Sequence, residues 1–107
     1  MGLRIRVCAI DEVISDELRA FPVEGIDVPI LVTRVDGAIV AASSMCPHED
    51  VSLVDGVLEG AVVECPGHAY RFDLATGACL HDPDLRLRRY RVIVEGPDVF
   101  VDLIAEP

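Results

Sequence analysis

The close spacing of turn signals between short β-branched runs constrains the fold more than any other feature. Asp36-Gly37 separates two such runs, residues 26–35 and 38–42. A D-G pair in this position predicts a hairpin, because its turn needs positive φ. Gly96-Pro97 marks a similar turn near the C-terminus. We find no stretch with the period of a long helix. The sequence therefore predicts an all-β fold, an antiparallel β-sandwich or barrel of eight or more short strands.

The length, net charge and apolar content of the chain exclude several classes of protein. The chain has 107 residues, which suits a single domain over 1–107. Its 19 acidic and 9 basic side chains, all of the latter Arg, give a net charge of −10, and phosphate backbones repel such a surface. We therefore expect no nucleic-acid partner. We see no apolar stretch of membrane-spanning length and no secretory signal pattern, so we predict a cytoplasmic protein with no membrane contact.

Two short elements carry donor atoms for a metal. Cys46-Pro47-His48 is followed, after a gap of sixteen residues, by Cys65-Pro66-Gly67-His68. Each element offers one thiolate and one imidazole, and both follow strand-like runs, so two hairpin loops can face each other and enclose a small inorganic core. A structural zinc site is the alternative, since Zn²⁺ accepts the same ligands. Zinc modules usually pair Cys with Cys and His with His, which disfavours that interpretation.

The combined pattern, C-x-H and then C-x-x-H, resembles the Rieske iron–sulfur proteins. The resemblance implies one Rieske-type [2Fe–2S] cluster, with Cys46 and Cys65 on the inner iron and His48 and His68 on the outer, solvent-facing iron. It also implies a small cluster-binding subdomain over about 43–84, formed by the two hairpin loops.

The likeness continues beyond the ligands. Phe72-Asp73 with Thr76-Gly77 resembles the F-D-x-x-T-G stretch that follows the second loop in this family, and Pro83 stands where a proline loop covers the third side of the cluster. The match extends over nearly the whole chain, which implies an electron-transfer component and not an enzyme.

Departures from one branch of the family indicate the subtype. Rieske proteins of respiratory complexes have an additional Cys in each loop, where this chain has Val51 and Gly67, and a Ser and a Tyr that donate hydrogen bonds, where it has Tyr70 and Phe72. Fewer donors to the cluster stabilise the reduced state less, so we expect a potential of about −150 mV or somewhat above. This resembles the free ferredoxins of bacterial ring-hydroxylating oxygenase systems.

That resemblance implies partners. We expect a monomeric carrier that takes electrons from an NAD(P)H-dependent flavoprotein ferredoxin reductase and passes them to a terminal oxygenase that hydroxylates an aromatic substrate. The Rieske-like small subunit of a nitrite reductase is the alternative function. Acidic residues beside the loops are expected to form a rim that steers docking; they are Glu49, Asp50, Asp82 and Asp84.

Three further residues have the chemistry of ligands without the spacing. Cys8 and Cys79 lie in apolar, strand-like surroundings and are interpreted as buried small hydrophobes. His81 has no Cys or His at ligand spacing, so we interpret it as a surface loop residue.

Overall fold

The computed structural model describes residues 2–48, 50–67 and 69–107. Its described part is built from strands and two 3₁₀ helices, Ile10–Glu12 and Leu53–Asp55. The strands are β1 (Arg4–Ala9), β2 (Arg19–Phe21), β3 (Ile30–Val35), β4 (Ala38–Ser43), β5 (Val57–Glu59), β6 (Val62–Glu64), β7 (Arg71–Asp73), β8 (Arg89–Glu95) and β9 (Asp98–Asp102). The predicted all-β class is confirmed. In the described part of the chain, no helix has the length and apolar character needed to cross a membrane.

The strands form two antiparallel sheets. The larger has six strands in the order β1-β9-β8-β4-β3-β2, and the smaller has the three strands β5-β6-β7 in sequence order. The β3–β4 turn has φ of 51° at Asp36 and 82° at Gly37, which are the two positive values that a two-residue turn of type I′ requires. The predicted hairpin at this point is therefore confirmed.

Strand β3 separates two hydrophobic cores. Its side chains alternate, so Leu31 and Val35 pack with the residues around the smaller sheet, whereas Ile30 and Val32 pack against β9 on the opposite face. Successive residues of a strand point to opposite faces, and both faces of β3 are covered. This explains why residues 30–33 are all buried, and why all of them except Thr33 are apolar.

One turn ties the smaller sheet to the larger one. Gly77, in the turn after β7, accepts a hydrogen bond at 2.8 Å from the Leu87 N–H, just before β8 begins. Arg86 Nη2 donates to the carbonyl oxygen of Thr76 in the same turn, at 3.0 Å. The sheet that carries the second Cys-Pro element is thereby fixed relative to the six-stranded sheet.

Candidate metal centre

The first Cys-Pro element lies in a narrow loop that follows β4. An antiparallel bridge between Met45 and Ser52 closes this loop, and the Cys46 N–H donates to the Val51 carbonyl at 2.9 Å. Cys46 is buried, with 2% of its surface exposed, whereas His48 at the loop tip is exposed. The loop therefore turns its thiol into the protein and carries its imidazole at the surface.

The second element connects β6 to β7. The Cys65 N–H donates to the Tyr70 carbonyl at 2.7 Å, and the Ala69 N–H donates to the Cys65 carbonyl at 3.1 Å. This tight turn holds Ala69 at a φ of 59°, which is uncommon for a residue with a Cβ atom. Cys65 is 1% exposed. His68, the second imidazole expected in the site, lies outside the described residues.

The two thiols belong to the same core. Cys46 and Cys65 are members of one buried cluster, together with Leu53 of the second 3₁₀ helix, Val63 of β6 and Phe72 of β7. Each loop therefore delivers its cysteine to the same apolar environment. The cluster-binding subdomain over about 43–84 stays a prediction. The site therefore has an inner side, with the buried sulfur atoms of Cys46 and Cys65, and an outer side, with the exposed imidazole of His48.

Tyr70 is a site residue whose role sequence reasoning missed. The sequence comparison treats Tyr70 only as a replacement for a hydrogen-bond donor, whereas its ring stacks on the His48 imidazole with a centroid separation of 4.0 Å and an interplanar angle of 17°. The His81 ring lies 5.8 Å from the Tyr70 ring and is tilted by 49°. His81 is exposed, as predicted for a surface loop residue. A Tyr after the second element was visible in the sequence, but its partner across the loops was not.

Gly56 is a second residue that sequence reasoning did not assign to the site. A Cβ atom on this glycine would lie well inside van der Waals distance of the Glu64 carbonyl oxygen, directly before Cys65. Its φ is −86°, so glycine is required here for close approach of two backbones and not for a left-handed turn. The absent side chain lets the segment that follows the first loop lie against the strand that leads into the second.

The charged residues around the loops were expected to form an acidic rim. Asp50 and Asp84 are exposed. Asp82 is partly buried, and its carboxylate accepts the Asp84 N–H at 2.9 Å. Glu49 lies outside the described residues. Pro83, in the same loop, is exposed. The rim therefore remains a prediction, of which two members have the expected exposure.

The two remaining cysteines are buried side chains with free thiols. Cys8 packs with β9 in the core away from the site, and Cys79 packs in the core that contains the site. Burial raises the pKa of the Cys8 thiol, and the nearby carboxylate of Glu12 raises that pKa further. A thiol kept protonated in this way behaves as a small hydrophobic side chain, as predicted.

The donor chemistry fits an iron–sulfur cluster with mixed ligands. Two thiols in one core and an imidazole at its edge are the donor types that Cys₂His₂ ligation of two irons requires. Within residues 2–48, 50–67 and 69–107, no three His, Cys, Asp or Glu side chains form a metal-binding group by themselves. His68, the fourth expected ligand, is not among those residues.

The comparison with protein families decides which class of metal protein this is. The profile of the Rieske [2Fe–2S] domain matches residues 4–91. The chain belongs to the Rieske family. Its cofactor is therefore a Rieske-type [2Fe–2S] cluster, and the zinc alternative is set aside.

Individual Rieske relatives resemble the chain over nearly its whole length. The ferredoxin component of the p-cumate 2,3-dioxygenase system of Pseudomonas putida is 40% identical over 105 residues, which cover 96% of this chain and 88% of the relative. Among solved structures, the ferredoxin of Sphingomonas yanoikuyae B1 has a TM-score of 0.85 at 32% identity and covers 94% and 98% of the two chains. A chain in a complex of reduced oxygenase and oxidised ferredoxin of carbazole 1,9a-dioxygenase has a TM-score of 0.82 at 29% identity, covering 95% and 94%.

Proposed function

We propose that this Rieske protein is a free ferredoxin, which carries single electrons from an NAD(P)H-dependent flavoprotein reductase to a terminal oxygenase that hydroxylates an aromatic ring. The similarity of the chain to ferredoxin components of dioxygenase systems supports this role, since those relatives are carriers and not catalytic subunits. The similarity to a chain from an oxygenase–ferredoxin complex supports an oxygenase as one partner. The small subunit of a nitrite reductase is the alternative.

The inner and outer sides of the site are the observation that carries this proposal. Cys46 and Cys65 are buried in one core, whereas His48 is exposed at a loop tip. A carrier needs its redox group held firmly by the protein and yet within reach of a partner surface. When bound, the cluster accepts and releases one electron. Buried thiolates retain the group, and an exposed imidazole gives an electron a short path to a docked protein.

The ligand set remains part of the proposal. We assign Cys46 and Cys65 to the inner iron and His48 and His68 to the outer iron. We also propose that residues 1–107 form one domain with the cluster-binding subdomain at about 43–84, and that the protein acts as a monomer in the cytoplasm. Brief docking of an exposed tip needs no permanent interface, which favours the monomer.

Two histidine variants test the assignment of ligands. We expect the purified protein to be red-brown, to contain about two irons and two acid-labile sulfides, and to show a Rieske EPR signal after dithionite reduction. His48→Ala removes an outer ligand and should abolish that signal. His81→Ala is the matched control, since His81 is also exposed and also contacts Tyr70, and it should retain the signal. A Rieske signal that persists in His48→Ala would refute the ligand set.

Reconstitution tests the role as a carrier. The protein is mixed with a flavoprotein ferredoxin reductase, NADH and the terminal oxygenase of a dioxygenase system, and hydroxylated product is measured with and without it. We expect product only with the loaded ferredoxin. Product formation that does not depend on it would contradict the proposal. Stable co-purification from its source with a nitrite reductase large subunit would favour the alternative.

A further inference from the structure

We propose that Tyr70 is a positioning residue that holds the imidazole of His48 in the orientation needed to bind the cluster. This inference rests on the proposed function, because it takes His48 to be a ligand. The backbone of Tyr70 belongs to the loop that holds Cys65. Its ring contacts His48 and His81, which are side chains from two other loops.

The position of Tyr70 is fixed by its main chain. Its carbonyl oxygen accepts the Cys65 N–H at 2.7 Å, which closes the second loop. The preceding residue, Ala69, has a φ of 59° and donates its own N–H to the Cys65 carbonyl. The backbone next to the cysteine thus determines where the Tyr70 side chain begins. The ring is half-buried and packs against the core that contains both thiols.

From this fixed base the ring reaches the first loop. Its centroid lies 4.0 Å from that of the His48 imidazole, and the two planes differ by 17°. A stacked neighbour covers one face of the imidazole and restricts rotation about the bond from Cβ to the ring. His48 is exposed, so its imidazole lies at the surface of the protein. An exposed ligand at a loop tip needs such a contact to keep its nitrogen pointing at the metal.

A third loop supports Tyr70 in turn. The His81 ring lies 5.8 Å from the Tyr70 ring at an interplanar angle of 49°, a tilted geometry that aromatic pairs favour. His81 lies in the polar loop that holds Pro83. Tyr70 therefore connects the three loops at this end of the molecule, and its loss should loosen the first loop more than the core.

The test compares a variant that removes the ring with one that keeps it. In holoprotein, Tyr70→Leu removes the aromatic ring, whereas Tyr70→Phe removes only the hydroxyl. We expect Tyr70→Leu to lose its cluster about fivefold faster than the wild type. The decay of visible absorbance in dilute chelator measures this loss. We also expect its EPR g-values and reduction potential to shift, because the imidazole is no longer held in one orientation. Tyr70→Phe should match the wild type in all three measurements.

A second tyrosine supplies the structural control. Tyr90 of β8 is half-buried and packs in the core away from the site, so Tyr90→Leu makes the same change at a distance. It should leave the EPR signal and the cluster lifetime unchanged. The positioning role would be overturned if Tyr70→Leu kept the wild-type EPR signal, even if its cluster were lost faster, because general destabilisation would explain that loss. Failure of the ligand assignment itself is recognised separately, by a Rieske signal that survives in His48→Ala.

Discussion

At the scale of single residues, Thr33 is in an unfavourable environment. It is 1% exposed, on the strand that separates the two cores, and its hydroxyl oxygen has no hydrogen-bond partner in the described part of the chain. A buried hydroxyl that gives up its hydrogen bonds to water without replacing them costs free energy.

We expect Thr33→Val to raise the free energy of unfolding by about 1 kcal/mol, because a methyl group replaces the unsatisfied hydroxyl at nearly the same volume. The measurement is urea denaturation of the holoprotein. Thr33→Ser is the matched control, since it keeps the hydroxyl and removes the methyl group, and it should be less stable than the wild type. A Thr33→Val protein that is less stable than the wild type would show that the hydroxyl is satisfied in solution.

Asp102 is an acidic residue with a structural role. Its carboxylate accepts the Leu3 N–H at 3.0 Å and the Ile104 N–H at 3.1 Å. These hydrogen bonds, with a smaller contribution from the positive charge of Arg91, hold the pKa of Asp102 below its ordinary value. The ionised side chain thereby fixes the beginning of the chain and the turn after β9.

The lowered pKa gives the stability of the protein a defined pH dependence. The folded state binds the Asp102 proton less tightly than the unfolded state, so the stabilisation is present above about pH 3.9 and is lost as the pH falls through the folded pKa. We expect Asp102→Asn to lower the urea midpoint at neutral pH, and the difference from the wild type to close in acid. Asp98→Asn, which removes a surface ion pair with Arg6, should change the midpoint little at any pH. A constant difference across the pH range would contradict this assignment.

At the scale of elements, the turn after β7 decides how the two sheets are joined. Gly77 has a φ of 84°, and a Cβ atom there would lie 2.8 Å from the Leu87 carbonyl oxygen. Arg89 Nη1 donates to the Ala75 carbonyl at 2.7 Å, which adds a second arginine contact to the same turn. The turn is held by hydrogen bonds from the segment that leads into β8, so it has little freedom to relax.

We expect Gly77→Ala to destabilise the protein by about 2 kcal/mol, because it combines an unfavourable φ with a backbone clash. Gly60→Ala is the matched control: Gly60 has a φ of 61°, but a Cβ atom there would meet nothing within 4 Å. It should cost about 1 kcal/mol, from the left-handed conformation alone. Thermal unfolding of both variants, with the cluster retained, measures the difference. Equal losses would show that the contact to Leu87 relaxes freely.

At the scale of the whole molecule, the net charge of −10 governs encounters with partners. A negative field attracts a partner with a positive face and increases the rate of association at low ionic strength. Asp50 is exposed two residues after His48, in the first loop, whereas Asp36 is exposed in the turn at the opposite end of β4. Substitutions at Asp50 and Asp36 change the total charge equally, but only the first removes a charge beside the site. Comparing them therefore distinguishes the effect of a local docking charge from that of the total charge.

We expect the rate of electron transfer to the terminal oxygenase to fall several-fold as the ionic strength rises from about 0.01 M to about 1 M. Asp50→Asn should lower the rate at low ionic strength and weaken its salt dependence. Asp36→Asn changes the total charge by the same amount and should have a smaller effect. Stopped-flow absorbance of the cluster gives both rates. Equal effects of the two variants would show that no acidic rim steers docking.

The sequence by itself determined the features that depend on nearby residues. Turn chemistry at Asp36-Gly37 and the alternation of β-branched runs indicated the strands, because positive φ and period-two burial are properties of short segments. The two Cys-Pro elements indicated the class of cofactor, because donor type and spacing can be read along the chain. The structure confirmed the strands, and family membership confirmed the class of cofactor.

Only the tertiary structure decided which distant segments touch. It paired β4 with β8 through two residue pairs, Ala41 with Tyr90 and Ala42 with Arg89. It also brought Gly56 against Glu64 and laid the Tyr70 ring on His48. These contacts join residues that are 8 to 49 positions apart in the sequence. They depend on the packing of whole sheets around two cores, and no local pattern in the sequence encodes that packing.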